Sequence, residues 1–210
     1  MKKYLGISLI ASSLLLVIVV VMGALGDGNY TLLYHLIENS DVNHKIIWLV
    51  EILFYLANSI LLFGGVLALV DYEQIMTKRT RYIFIGLSII GILNIFMRRL
   101  SYLFLYLDLA TTLGIIYLIL YIMAYIIIIL TISWSWWLYR LSSLINYKFY
   151  SLFSLMAVTM IISCKLIAIL YMYLLIPSIA LLFEHMVIWS FLIWLYITGL
   201  LVYKDNTNIL

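Results

Sequence analysis

The chain has 210 residues, 67% of them hydrophobic and only 10% charged, with a formal net charge of +3. A soluble domain is about half apolar and about a quarter charged, so a water-soluble globule is excluded. The small, dispersed positive charge offers no footprint for nucleic acid. The one cysteine, Cys164, excludes an internal disulfide, a CxxC redox pair and a thiolate zinc site.

Long apolar runs recur along the chain, which is the pattern of a polytopic membrane protein. Runs such as "SSLLLVIVVVMGAL" and "YIMAYIIIILTI" do not alternate as the strands of a membrane β-barrel would. The expected fold is an all-α membrane helix bundle, one transmembrane domain with six spans. They are Tyr4–Leu25, Ile46–Val70, Tyr82–Leu105, Leu109–Ile132, Tyr150–Leu175 and Ser178–Tyr203.

The first span follows Lys2 and Lys3 in the manner of a signal peptide. Its apolar run is longer than a typical signal core, so it reads as a retained helix. Next comes "GDGNYTLLYHLIENSDVNHK", where His35, Glu38, Asp41 and His44 recur every three residues. These are donors that zinc accepts. On a helix, however, threefold spacing spreads them round the surface. A solvated loop carrying a short amphipathic segment is expected there, with no metal.

The second span places Glu51, Tyr55 and Asn58 at i, i+4 and i+7, on one face. The third carries a matching stripe, Gly91, Asn94, Arg98 and Ser101, with Arg99 beside it. A polar stripe in lipid turns toward protein or water, so these two spans are expected to share a polar interior. Asp108 opens the fourth span and also reads as a plain N-cap with Thr111 in the next turn. Trp134, Trp136 and Trp137 follow as interfacial anchors.

Lys165 lies in the middle of the fifth span. A central lysine costs roughly 2.5–3.5 kcal/mol to insert, so a carboxylate partner is expected, either Glu51 or Glu184. Pro177 separates the last two spans, and Glu184 and His185 lie near the start of the sixth.

Orientation follows from the basic residues. With the N-terminus in the cytoplasm, Lys2, Lys3, Lys78, Arg79, Arg81, Arg140, Lys148 and Lys204 lie inside. Lys45, Arg98 and Arg99 lie outside. Eight against three places both termini in the cytoplasm. Arg98 and Arg99 break the trend at the outer rim. Lipid phosphate would hold them there, or at least one faces inward and holds an anionic group.

Glu51, Arg98, Asp108, Glu184 and His185 thus fall at related depths toward the outer side, with Lys165 nearer the middle. The candidate ligand-binding set is Glu51, Asn58, Asn94, Arg98, Lys165, Glu184 and His185. Each also has a structural reading. Asn58 and Asn94 serve as interhelical glue, Lys165 and a carboxylate as a packing pair, and Glu184 and His185 as the mark of an emerging helix. No hydrolase, nucleotide-binding or metalloprotease motif occurs, and only His185 among the histidines falls within a span, so no enzyme and no haem is expected.

Two functions fit. One is capture or transport of a small, anionic solute through an outward-facing polar pocket. The other is a non-catalytic role beside partner membrane subunits in a larger complex. The architecture is similar to that of small solute-binding subunits that work with a separate energising partner, the S-components of vitamin importers among them. Of the small-residue pattern by which those subunits dock, the nearest counterpart on the first helix is Ser8 and Ser12. The expected location is the lipid bilayer of a prokaryotic plasma membrane.

Overall fold

A computed structural model of the protein describes residues 2–27, 41–70, 78–106, 110–140 and 145–204. Six helices account for nearly all of them: α1 (Lys2–Asp27), α2 (Asp41–Val70), α3 (Lys78–Tyr106), α4 (Ala110–Tyr139), α5 (Ile145–Tyr173) and α6 (Pro177–Lys204). Each contains a stretch long and apolar enough to cross a membrane. At ~1.5 Å per residue the helices run about 39–45 Å, beyond the ~30 Å hydrocarbon core, so their ends stand among the headgroups. The chain is therefore an all-α, multi-pass membrane protein. Asp108 and the loop residues His35 and Glu38 lie outside the described residues. Asp41 and His44 fall on the first turns of α2, their side chains outside the description.

α4 extends past Ile132 to Tyr139 and takes the tryptophan cluster into the helix. Trp134 and Trp137 pack with ring centres 5.1 Å apart, and the Arg140 guanidinium lies 5.7 Å from the Trp136 ring. Aromatic rings and a cation at the end of a span anchor it at the headgroup level.

Every helix packs chiefly against its two neighbours in the chain, and α6 returns to α1, so the six close into a ring. The α1–α6 seam is a backbone contact. A Cβ added to Gly6 would lie 2.7 Å from the Tyr203 backbone nitrogen and 2.9 Å from the Gly199 carbonyl oxygen. Without a hydrophobic drive between helices in lipid, such close approach supplies the van der Waals attraction. The α2–α3 seam is made the same way, with a Cβ on Gly91 only 2.9 Å from the Asn58 carbonyl oxygen.

The turn between α5 and α6 is a Schellman motif. The Ile176 N–H donates to Tyr171 O at 2.9 Å, and the Leu175 N–H donates to Met172 O at 3.1 Å. Leu175 takes the left-handed conformation, φ 58°, that glycine usually fills. Pro177 then opens α6, where its missing N–H costs nothing.

On α1 and α5 buried residues run along much of the helix, to Val20 and Ala168, but the other four helices are uneven. On α2, α3, α4 and α6 the buried residues gather near or inward of the midpoint, within 57–65, 81–91, 124–135 and 187–202. Trp194, Phe84, Leu61, Ile132 and Ile161 are among the side chains that fill this inner core. Outward of it, only Leu100 and Ala180 are buried among the described residues of those four helices.

Two substitutions test this account by thermal unfolding in detergent. Gly199→Val forces α1 and α6 apart and is expected to cost about 1–3 kcal/mol. An unchanged midpoint would contradict the backbone contact. Leu175→Gly relieves the left-handed strain and is expected to stabilise by about 1 kcal/mol, while a loss of stability would contradict that turn.

Candidate functional site

The site grows from the α2–α3 seam. Glycine at 91 lets α3 approach α2 closely enough for their polar stripes to meet. The Asn94 amide donates from Nδ2 to Asn58 Oδ1 at 3.0 Å, and Asn58 Nδ2 donates to the Phe54 carbonyl at 2.8 Å. One turn on from Asn94 and two from Asn58, Arg98 Nε donates to Glu51 Oε1 at 2.6 Å. Asn58 is fully buried, so its amide is satisfied within the protein as hydrocarbon requires.

A second ion pair forms across the ring. Lys165 on α5 donates to Glu184 on α6 and to the Tyr121 hydroxyl on α4. Its ammonium also lies over two rings, 4.5 Å from the centre of Tyr121 and 4.4 Å from that of Tyr125. Glu184 Oε2 accepts from the Tyr125 hydroxyl at 3.2 Å and from the Tyr121 hydroxyl at 3.4 Å. Glu184 thus reaches past α5 to α4, and the four side chains point into the ring. Carboxylate and aromatic faces together replace the water an ammonium would hold.

Tyr117 extends the aromatic row of α4. It stands one turn from Tyr121 on α4, rings 6.4 Å apart, within electrostatic reach of Arg98. Glu51, Arg98, Tyr121, Lys165 and Glu184 lie roughly 10–17 Å from the outer ends of their helices at ~1.5 Å per residue. They lie at a similar depth on five helices. Side-chain exposure of 13% for Glu51, 22% for Arg98, 18% for Lys165 and 27% for Glu184 leaves the pairs sheltered but not sealed.

Of the two carboxylates expected for Lys165, the structure selects Glu184, because Glu51 is held by Arg98. His185 bonds its own helix, with Nδ1 2.7 Å from Leu181 O. Adjacent residues on a helix diverge by about 100°. Arg98 accordingly turns to Glu51, while Arg99 faces outward, exposed, with its guanidinium 4.9 Å from the Tyr55 ring centre. Ser12 donates to the Ala57 carbonyl at 2.9 Å, and Ser8 sits beside Gly64, so both serve the α1–α2 seam. The tyrosines of α4 were not among the candidates. Their spacing, 117, 121 and 125, was the available signal, because it sets three phenols on one face of an otherwise aliphatic helix.

Compared with family models, curated proteins and solved structures, the chain matches none.

The pairing predicts a sign reversal in a double-mutant cycle. Glu184→Gln leaves an ammonium unpaired in lipid, and Lys165→Met leaves a carboxylate. Each alone is expected to destabilise by roughly 1–3 kcal/mol, discounted from the cost of a fully buried broken pair. The double variant is expected to melt above either single variant. Additive losses would contradict the pair.

Proposed function

We propose that the protein captures a small anionic solute from the outer side of a prokaryotic plasma membrane and works in its transport. One observation carries this reading. Ionised and phenolic side chains from five helices lie at one depth, where the buried residues of α2, α3, α4 and α6 thin out while those of α1 and α5 continue. A layer so placed is reachable from outside and closed inward by the apolar core.

The roles follow from the chemistry. Arg98 offers a planar fork suited to a carboxylate or phosphate, and Lys165 a compact charge. Glu51 and Glu184 keep these cations neutralised while no solute is present. An arriving anion takes over part of their hydrogen bonding, and Tyr121 and Tyr125 can donate to either acceptor. Asn58 and Asn94 hold α2 and α3 in register beneath the layer, and His185 borders it on α6. Movement past the layer requires the inner core to open, which is the step a separate energising partner would drive.

A second reading is favoured by the same ion pairs. Both cations are already neutralised by the protein's own acids. A non-catalytic subunit of a larger membrane complex needs no more than that, its charges fixing helix packing beside partner chains.

Binding measurements on the purified protein separate the two. Small carboxylates and phosphates are screened by thermal shift, and any hit is titrated by calorimetry. Capture predicts a ligand whose binding Lys165→Met abolishes. It also predicts that Arg98→Gln weakens an anionic ligand by more than a neutral analogue, by about tenfold for one lost charge-assisted contact. Binding undisturbed by Lys165→Met, or equal loss for anion and neutral analogue, would remove that role. No ligand, with fixed partner chains co-purifying, would favour the subunit reading.

A further inference from the structure

Arg99 is the cation that the polar layer does not use. Its neighbours on the exposed face of α3 are Ile92 and Phe96, and across the seam the exposed residues of α2 are Ile52 and Leu56. That surface faces lipid. A guanidinium there keeps its charge at all helix orientations, because arginine does not deprotonate in proteins. It therefore requires an anion or water.

Three observations define what it meets. First, Arg98 next to it pairs with Glu51, whereas the partner of Arg99 among the described residues is an aromatic face, the Tyr55 ring at 4.9 Å. The ring holds the guanidinium by cation–π attraction, which leaves its N–H groups without an acceptor among the described residues. Second, the Tyr55 hydroxyl, on the same corner, is closed off by its surroundings and has no hydrogen-bond partner. Third, Arg99 lies close to the outer end of the apolar span 81–100. At ~1.5 Å per residue it stands about 27 Å from Arg81, so the two mark opposite edges of a ~30 Å hydrocarbon layer. The headgroup phosphates of the outer leaflet begin at that level.

We propose that the outer end of the α2–α3 seam is a phospholipid site, in which Arg99, oriented by Tyr55, binds the phosphodiester of an outer-leaflet lipid. The phosphate oxygens accept from the free edge of the fork. The acyl chains lie along Ile92, Phe96, Ile52 and Leu56. This separates the duties of the two adjacent arginines: Arg98 serves the interior and Arg99 ties the seam to the leaflet. The site is independent of the solute reading, since no residue of the ionic layer takes part.

Native mass spectrometry of the full chain in mild detergent tests it, with phosphatidylglycerol as the probe and diacylglycerol as the phosphate-free control. The wild type is expected to hold one phosphatidylglycerol more tightly than the rest and to show no such diacylglycerol. Arg99→Gln is expected to weaken that lipid about tenfold, as for loss of one charge-assisted contact. Arg99→Lys keeps the charge without the planar fork and should weaken it less. Arg99 is exposed, so its variants should melt like the wild type, which thermal unfolding checks. Arg98→Gln should leave the tight lipid in place. Equal lipid binding by wild type and Arg99→Gln would overturn the proposal. So would displacement of the lipid by millimolar inorganic phosphate, which would make this a site for the free anion.

Discussion

Hydrocarbon does not solvate charge. A side chain that stays ionised between lipid tails must find its counter-charge within the protein, and that requirement shapes the outer half of this bundle. Glu51 and Arg98 neutralise each other across α2 and α3, and Lys165 and Glu184 do so across α5 and α6. Each pair joins helices consecutive in the chain, and the ring closes separately, where α6 returns to α1. The glycine contacts at α1–α6 and α2–α3 bring the backbones near enough for that closure. Small residues thus supply the geometry and ionic residues use it.

The ring is not uniform, and its unevenness gives the ionic layer its meaning. The inner half is filled by large apolar groups around Trp194, whose indole N–H donates to Ser154 Oγ at 3.1 Å. Tyr150 and Thr198 exchange a 2.8 Å hydrogen bond in the same region. Every polar group in these contacts is satisfied locally. Elsewhere the polar groups form two ion pairs at a similar depth, both partly exposed. The tyrosines of α4 contribute both their faces, under the Lys165 ammonium, and their hydroxyls, toward Glu184.

Much of this was legible in the residues because the membrane permits few solutions. Apolar runs of sufficient length can only be helices, and six of them stand where the hydropathy placed them. The stripes at 51, 55, 58 and 91, 94, 98 announced the α2–α3 seam through simple helical spacing. A lysine at 165 announced a carboxylate. Periodicity within one helix does not say which helices become neighbours in space, so the choice of Glu184 over Glu51 emerged only from the ring. The roles of Tyr121 and Tyr125 were hidden for a related reason. A tyrosine in a span commonly marks an interface, and only the position of Lys165 on the adjacent helix turns these into a cage. The divergence of Arg98 and Arg99 follows from the helical twist, yet which of them faced inward depended on where Glu51 lay.

The central claim is that charges distant in sequence meet on one side of the membrane, in the outer half of the ring. Single cysteines at positions 98, 165 and 184, each in a Cys164→Ser background, can be probed in intact membranes with a membrane-impermeant maleimide added to either side. All three are predicted to react from the external side and none from the cytoplasmic side. Reaction of any of them from the cytoplasm, or opposite sidedness for 98 and 184, would contradict it.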